Sequence, residues 1–237
     1  MTGWLRAWAA RADETLDDPR ADAATVTASL GDIARINRLF GGRAAAVRGL
    51  DPYLAEAPPG RILTLLDVGT GGGDIPRALA ARAARRGLTL RLVGVERHPA
   101  AARAARNGGS LVPVLAEGGC LPFADGAVDF VFCAKLLHHL PGAAGTALLR
   151  EMDRVARRAA VVADIRRSVF AALGLWLVSW PLRFHPATRR DGVISVFRGF
   201  TPEELSDVCR AAGVRAEVHR HPGWCLTAAW RPAGVSA

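Results

Sequence analysis

Carboxylates and histidines in this chain fall where apolar, strand-like runs end, the place from which a sheet presents side chains to a ligand. Asp67 closes the run Leu63-Thr64-Leu65-Leu66, glycines follow at 69, 71, 72 and 73, and Asp74 opens an alanine-rich stretch of helical character. A strand feeding such a turn makes a nucleotide-sized binding edge, because glycine takes positive φ and leaves no Cβ between ligand and main chain. Glu96 ends a second apolar run, Leu90 to Val95, about 20 residues or slightly more beyond the turn, where a doubly wound sheet offers a carboxylate to ribose hydroxyls. Farther on, His138 and His139 follow the run Val128 to Ala134, and Asp164 ends Val161 to Ala163. A histidine oriented by a carboxylate is a general base for a hydroxyl or an acidic carbon. Of two adjacent histidines one faces inward, so His138 ranks slightly ahead of His139 as that base, with Asp164 orienting it or binding substrate. A pair that only packs and caps the turn is the alternative reading.

Details of the turn narrow its ligand. A dinucleotide fingerprint needs Gly-x-Gly-x-x-Gly, and counting from Gly69 the third glycine position holds Asp74, an anion at a helix start that repels pyrophosphate. A nicotinamide-dependent oxidoreductase is therefore a disfavoured alternative. No Gly-Lys-Ser/Thr follows, which excludes a Walker loop.

The block Leu63 to Asp74 resembles motif I of the class I S-adenosylmethionine-dependent methyltransferases, in which the acid before the first glycine and the glycine backbone surround the amino-acid end of a cationic cofactor. Three more blocks follow in that family's order. They are Leu90 to Glu96, then Val114 to Phe123 with an acid followed by Leu121-Pro122-Phe123, then Val128 to Ala134 followed by Leu137-His138-His139-Leu140. Ala116-Glu117-Gly118 stands where Gly-Asp-Ala is common in the family. Residues 61–168 as a whole are similar to the ubiquinone and menaquinone C-methyltransferase type. The resemblance implies a Rossmann-like, doubly wound, mostly parallel seven-stranded sheet with an antiparallel C-terminal hairpin. It implies S-adenosylmethionine as cofactor and S-adenosylhomocysteine as product. Cofactor contacts are implied at Asp67, Gly69, Thr70, Gly71, Gly73 and Asp74, at Glu96 for the ribose with Arg97 beside it, at Glu117 for the adenine with Gly118 beside it, and at Cys133 and Ala134. It also sets His138, His139 and Asp164 near the transferred methyl.

The elements around this core divide one domain into an N-terminal helical lid (1–60), the cofactor core (61–168), a cap insertion (169–200), and a C-terminal helix and hairpin (201–237). Leu30, Ile33, Ile36 and Phe40 recur at helical spacing before the stop Gly41-Gly42. Arg35, Asn37 and Arg38 on that helix form either a solvated face or a contact to the cofactor carboxylate or the substrate. Val169 to Leu182 is apolar on every side yet shorter than the ~20 residues a spanning helix needs, so it reads as a cap helix. A helix of that kind buries itself against the core or an apolar ligand. Trp176 and Trp180, four apart on one face, are expected to roof an apolar aromatic or lipid-like acceptor, with Arg198 a further substrate contact. Arg189 to Phe200 reads as a loop-like return. Thr201-Pro202-Glu203-Glu204 opens a helix, and Val214 to His221 with Trp224 to Trp230 forms a hairpin about His221-Pro222-Gly223.

A chain of 237 residues, 50% of them hydrophobic, buries a sizeable core as a single domain. Cys120, Cys133, Cys209 and Cys225 lack CxxC spacing, and His219 and His221 lack ligand spacing, so neither a disulfide framework nor a metal is expected and a reducing compartment is the default. Cys133, inside a strand-like run, also reads as a small buried residue. The net charge of +9 is almost wholly arginine, Lys135 being the only lysine, and the arginines are scattered without basic runs or stacking aromatics. A nucleic-acid methyltransferase is therefore the weaker alternative. No Asn/Asp-Pro-Pro-Tyr/Phe tetrapeptide accompanies it. Met1 to Ala10 has neither a basic head nor a sustained apolar stretch, so a cytoplasmic enzyme is expected, monomer or homodimer, touching a membrane at most loosely. Its predicted reaction is methyl transfer to a small apolar acceptor, at a phenolic, polyketide or quinone hydroxyl or ring carbon.

Overall fold

Strands buried on both faces read as unbroken apolar runs, and here those runs become a parallel sheet. The structure, a computed structural model, describes residues 7–18 and 20–233. Ile62–Val68 (β1), Thr89–Glu96 (β2), Leu111–Leu115 (β3), Val128–Ala134 (β4) and Ala156–Ile165 (β5) lie parallel. Glu217–His221 (β6) and Cys225–Trp230 (β7) add an antiparallel hairpin, β7 pairing with β5. The order is β3-β2-β1-β4-β5-β7-β6. It reverses direction between β1 and β4, and the crevice at the carboxyl ends of those strands is where ligands of doubly wound sheets bind.

Alternation along the strands feeds two cores. Leu63 and Leu65 of β1 and Phe130 and Phe132 of β4 meet Leu50 and Leu54 of helix Gly42–Ala55 (α2) and Leu79 of helix Asp74–Ala84 (α3). Their neighbours Leu66, Val68, Val131 and Cys133 turn to the other face, against Leu149 and Met152 of Ala143–Val155 (α5). Helix Pro99–Asn107 (α4) joins the α2 and α3 side through Ala105. Of the segment expected as a lid, α2 is thus a core layer, and Gly49 lets it sit close to the sheet, since a Cβ there would lie 3.0 Å from Val161 Cγ1. Helix Ala23–Leu39 (α1) covers the crevice, with Val26 on Ala100 and Ala101, and Ile36 on the cap.

The cap consists of helices Val169–Ser179 (α6) and Pro186–Arg198 (α7), and Pro202–Ala212 (α8) follows with a capping box between Thr201 and Glu204. The loop-like return expected over Arg189 to Phe200 is therefore corrected to a helix for most of its length. His185 caps α7, its Nδ1 accepting the Ala187 N–H at 3.3 Å, and Pro186 fills the first helical position. Gly192 and the β-branched residues after it are poor helix formers, but Ile194 and Phe197 bury in the cap core and override that propensity. Gly192 is what lets α7 approach α6, for a Cβ there would meet Leu175 Cδ2 at 2.8 Å. Asp74, read as suited to an N-cap, is the first residue of α3, and Gly73 caps it at φ +73°.

Candidate active site

The glycine turn is pinned to the neighbouring strand before it reaches any ligand. Gly69 and Thr70 both donate their N–H to the Val95 carbonyl, at 2.8 and 3.1 Å. Gly71, at φ +50°, donates to Glu96 Oε2 at 2.9 Å, while the His98 N–H takes Oε1 at 3.0 Å. Asp67 lies beneath, 2% exposed. Burial, assisted by repulsion from Asp74 and Glu96, pushes its carboxyl up to about 8. Asp74 is held from the lid side, accepting from Asn37 Nδ2 and Arg43 Nε at 3.2 Å each. Asn37 thus meets α3, whereas Arg35 pairs with Asp32 at 3.3 Å and Arg38 is exposed.

A cavity of about 700 Å³ opens above the turn, the size of a pocket for a cofactor and a small acceptor. Asp67, Gly69 to Gly72, Asp74, Glu96, Arg97, Glu117, Gly118, Ala134, His138 and His139 line it. Among the described residues, eight of the ten buried side-chain polar atoms without a hydrogen-bond partner belong to its lining, including Asp67 Oδ1, Thr70 Oγ1, Asn37 Oδ1 and His138 Nε2. Such atoms are rare in a closed core, so their concentration here marks a polar ligand site.

His138 and Asp164 form a dyad. Their side chains are 1% and 0% exposed, with Nδ1 2.6 Å from Oδ1. Asp164 also accepts the Ile165 N–H at 2.7 Å and the His138 N–H at 3.2 Å. Burial alone would raise Asp164, but the charge and hydrogen bond of His138 and the Ile165 amide outweigh it and hold the carboxyl below its usual value. With Nδ1–H donating to Asp164, Nε2 is left as an acceptor at the cavity wall.

Residues 66–163 match the family model described as a methyltransferase domain. Over 117 residues the chain is 42% identical to an uncharacterized methyltransferase of Mycobacterium sp. (strain JLS), the match covering 48% of this chain and 42% of that relative's length. Among solved structures, a SAM-dependent methyltransferase from Aquifex aeolicus is similar with a TM-score of 0.55 at 17% identity, covering 83% of this chain and 96% of that one. Human N-acetylserotonin methyltransferase in complex with SAM gives a TM-score of 0.62 at 11% identity, covering 89% and 56%. Residues 66–163 are thus similar to a methyltransferase domain, on a fold shared with solved SAM-dependent methyltransferases.

Several expected contacts of the methyltransferase domain fall elsewhere. Gly73 and Cys133 stand behind the cavity wall, Gly73 starting α3 and Cys133 buried in β4 with its thiol pushed well up by that burial. Asp164 reaches the cavity only through His138. Trp176 and Trp180 are 45% and 54% exposed on the outer side of the cap, and the cap residues that do line the cavity, Ala171, Leu175, Thr188, Asp191, Gly192, Ser195 and Val196, are smaller. Because α6 is apolar all round, periodicity could not tell its inner face from its outer one.

Arg198 lies just behind the lining as a clamp. Its Nη1 is 3.0 Å from both Glu14 Oε1 and Asp17 Oδ2, and the Glu14 Oε2 accepts from Ser195 Oγ at 2.7 Å. His139 joins this clamp with Nδ1 2.9 Å from Asp17 Oδ1, its ring 4.2 Å from that of His138. Burial raises the Glu14 carboxyl, whereas for Asp17 His139 and Arg198 overcome burial and hold it at about 2. Glu14, His138 and His139 bring ligand-type atoms within 4.8 Å of one another, but the Glu14 oxygens are engaged by Arg198 and Ser195. Glu14, Asp17 and Ser195 were not legible as site residues, being joined across more than 170 residues of chain. Lys135 is the single lysine, and no local pattern marks it as a site residue. It lines the cavity at φ +51°, and burial lowers its ammonium.

Proposed function

We propose that the protein transfers a methyl group from S-adenosylmethionine to a hydroxyl of a small apolar acceptor, with His138 as general base. The observation that carries this reading is the His138–Asp164 dyad, whose Nε2 faces the cavity without a partner. The cofactor end fits the donor set. Asp67, with Asp74 and Glu96 beside it, offers a carboxyl that a bound cationic group would ionise, Glu96 suits a vicinal diol, and Glu117 and Gly118 suit an adenine. Bound there, S-adenosylmethionine supplies an electrophilic methyl on a sulfonium.

On the acceptor side, Leu16, Ile33, Ile36, Phe40, Leu175 and Val196 make an apolar wall, which favours an aromatic or acyl-chain molecule over a polar metabolite. Such an acceptor would place its hydroxyl against His138 Nε2, which would take the hydroxyl proton, the cofactor when bound supplying the methyl carbon. Asp164 holds the imidazole in the tautomer that can accept and stabilises the imidazolium formed. A nicotinamide reading is opposed by Asp74 at the start of α3. A screen of phenols, quinones, fatty acids and amines with mass detection tests the proposal: a methylated phenol or quinol is expected, and turnover of polar amines alone would overturn it.

A further inference from the structure

The cap departs most from an ordinary protein surface on the side away from the cavity. The inner face of α6, Ala171, Ala172, Leu175 and Ser179, is buried. Its outer face presents Val169, Phe170, Leu173, Trp176, Leu177 and Trp180, each 45–77% exposed. These six are more than half of the eleven large apolar side chains exposed among the described residues, and their spacing gathers them in one stripe. Soluble surfaces scatter such residues singly, and a contiguous patch marks a contact.

We propose that this stripe docks the protein on an anionic lipid bilayer, with α6 lying in the plane of the interface. Charge complementarity decides the occupant. Of the six arginines from Arg166 to Arg198, Arg167 is tied to Glu204 and Arg198 to Glu14 and Asp17, which leaves Arg183, Arg189 and Arg190 as the cations of the cap. The single carboxylate of that segment, Asp191, is buried and accepts the Thr15 N–H at 2.8 Å. Arg183 and Arg190 are exposed directly after the stripe. Arg189 lies 3.8 Å over the Trp180 ring, and the Trp176 and Trp180 rings meet edge to face at 6.1 Å. Indoles beside an apolar face with a cationic rim are the chemistry of a helix at the headgroup boundary. At 11 residues α6 is about 16 Å long, and among the described residues no helix is long and apolar enough to cross a membrane, so the contact is in-plane.

Docking itself stands apart from the proposed reaction, but its use rests on that reading. Ala171 and Leu175 of the same helix face the cavity, so the roof over the acceptor is one helix thick.

The test is sedimentation of the full chain with large unilamellar vesicles of phosphatidylcholine alone or mixed with phosphatidylglycerol, at low and high salt. Co-sedimentation with the anionic vesicles, weakened by salt and accompanied by a blue shift of tryptophan emission, is expected. The exposed pair Phe170→Gln with Leu177→Gln should lower the partition coefficient at least about tenfold while the thermal melt is retained. Arg183→Gln with Arg190→Gln should lower it on anionic vesicles only, roughly fivefold per arginine. The proposal is overturned if the parent ignores vesicles, if the Phe170/Leu177 variant partitions equally, or if light scattering shows a dimer that this variant dissociates, making the stripe an interface between copies. Methyl transfer to a water-soluble phenol is measured alongside: its failure with intact docking sinks the proposed reaction alone, and the converse sinks docking alone.

Discussion

Replacing Asp67 with asparagine should reverse the usual expectation that removing a buried acid destabilises a protein, and the effect should grow with pH. The Asp67 carboxyl, ordinarily near 3.8, is held at about 8 in the fold, so between those values the folded chain keeps a proton that the unfolded chain has released. The unfolded state then binds fewer protons, and the contribution of Asp67 to stability falls by about 1.4 kcal/mol for each pH unit across that window. Asparagine is nearly isosteric and does not titrate. From pH 5 to pH 7 the Asp67→Asn variant should therefore gain about 3 kcal/mol on the parent, and above pH 8 the difference should level off. Urea unfolding of both proteins at several pH values measures this directly, with other titrating groups cancelling in the difference. A gap that stays constant from pH 5 to pH 8 would refute the raised carboxyl. The same proton should couple to the cofactor, because a cation beside Asp67 drives it off. S-adenosylmethionine affinity should rise with pH up to about 8, with proton release visible by calorimetry in buffers of different ionisation enthalpy.

Glu96→Ala removes the acceptor proposed for the ribose and should weaken S-adenosylmethionine by about 2 to 3 kcal/mol in equilibrium binding; an unchanged dissociation constant would place the diol elsewhere. His138→Ala should cost about 100-fold in turnover with cofactor binding preserved, and a near-normal rate would leave alignment as the whole mechanism. Arg198→Ala strands the Glu14 and Asp17 carboxylates and should destabilise the fold by about 2 kcal/mol or more in denaturant titration, with no loss if the clamp is only a surface pair.

The cofactor edge was legible because its signals are local. Glycines that need positive φ and acids that end apolar runs announce themselves within a dozen residues, and Asp67, Gly71 and Glu96 meet as their spacing implied. The His138 and Asp164 dyad was legible for a related reason, since β4 and β5 pair in parallel register and bring their ends together. The acceptor side was not, because its geometry depends on tertiary packing. Gly192 and a β-branched run argue against a helix until Leu175 is seen beside them. Trp176 and Trp180 sit on a helix greasy on both faces, so orientation is fixed by which face α1 and α7 cover. Glu14 reaches Ser195 across 181 residues of chain, and no local pattern encodes that.

The cavity draws its floor and its roof from different parts of the chain. Asp67, Glu96, Glu117 and His138 come from the stretch that matches the methyltransferase domain, while Leu16, Ile36, Leu175 and Val196 come from segments on either side of it. Selection on what enters the cavity can therefore work through the roof while the donor end stays fixed, so relatives that share the floor can diverge in acceptor without losing the cofactor. For engineering, the roof is the exchangeable part. A chimaera that swaps the N-terminal segment together with the cap keeps the clamp of Glu14, Asp17 and Arg198 intact, whereas swapping either alone splits it.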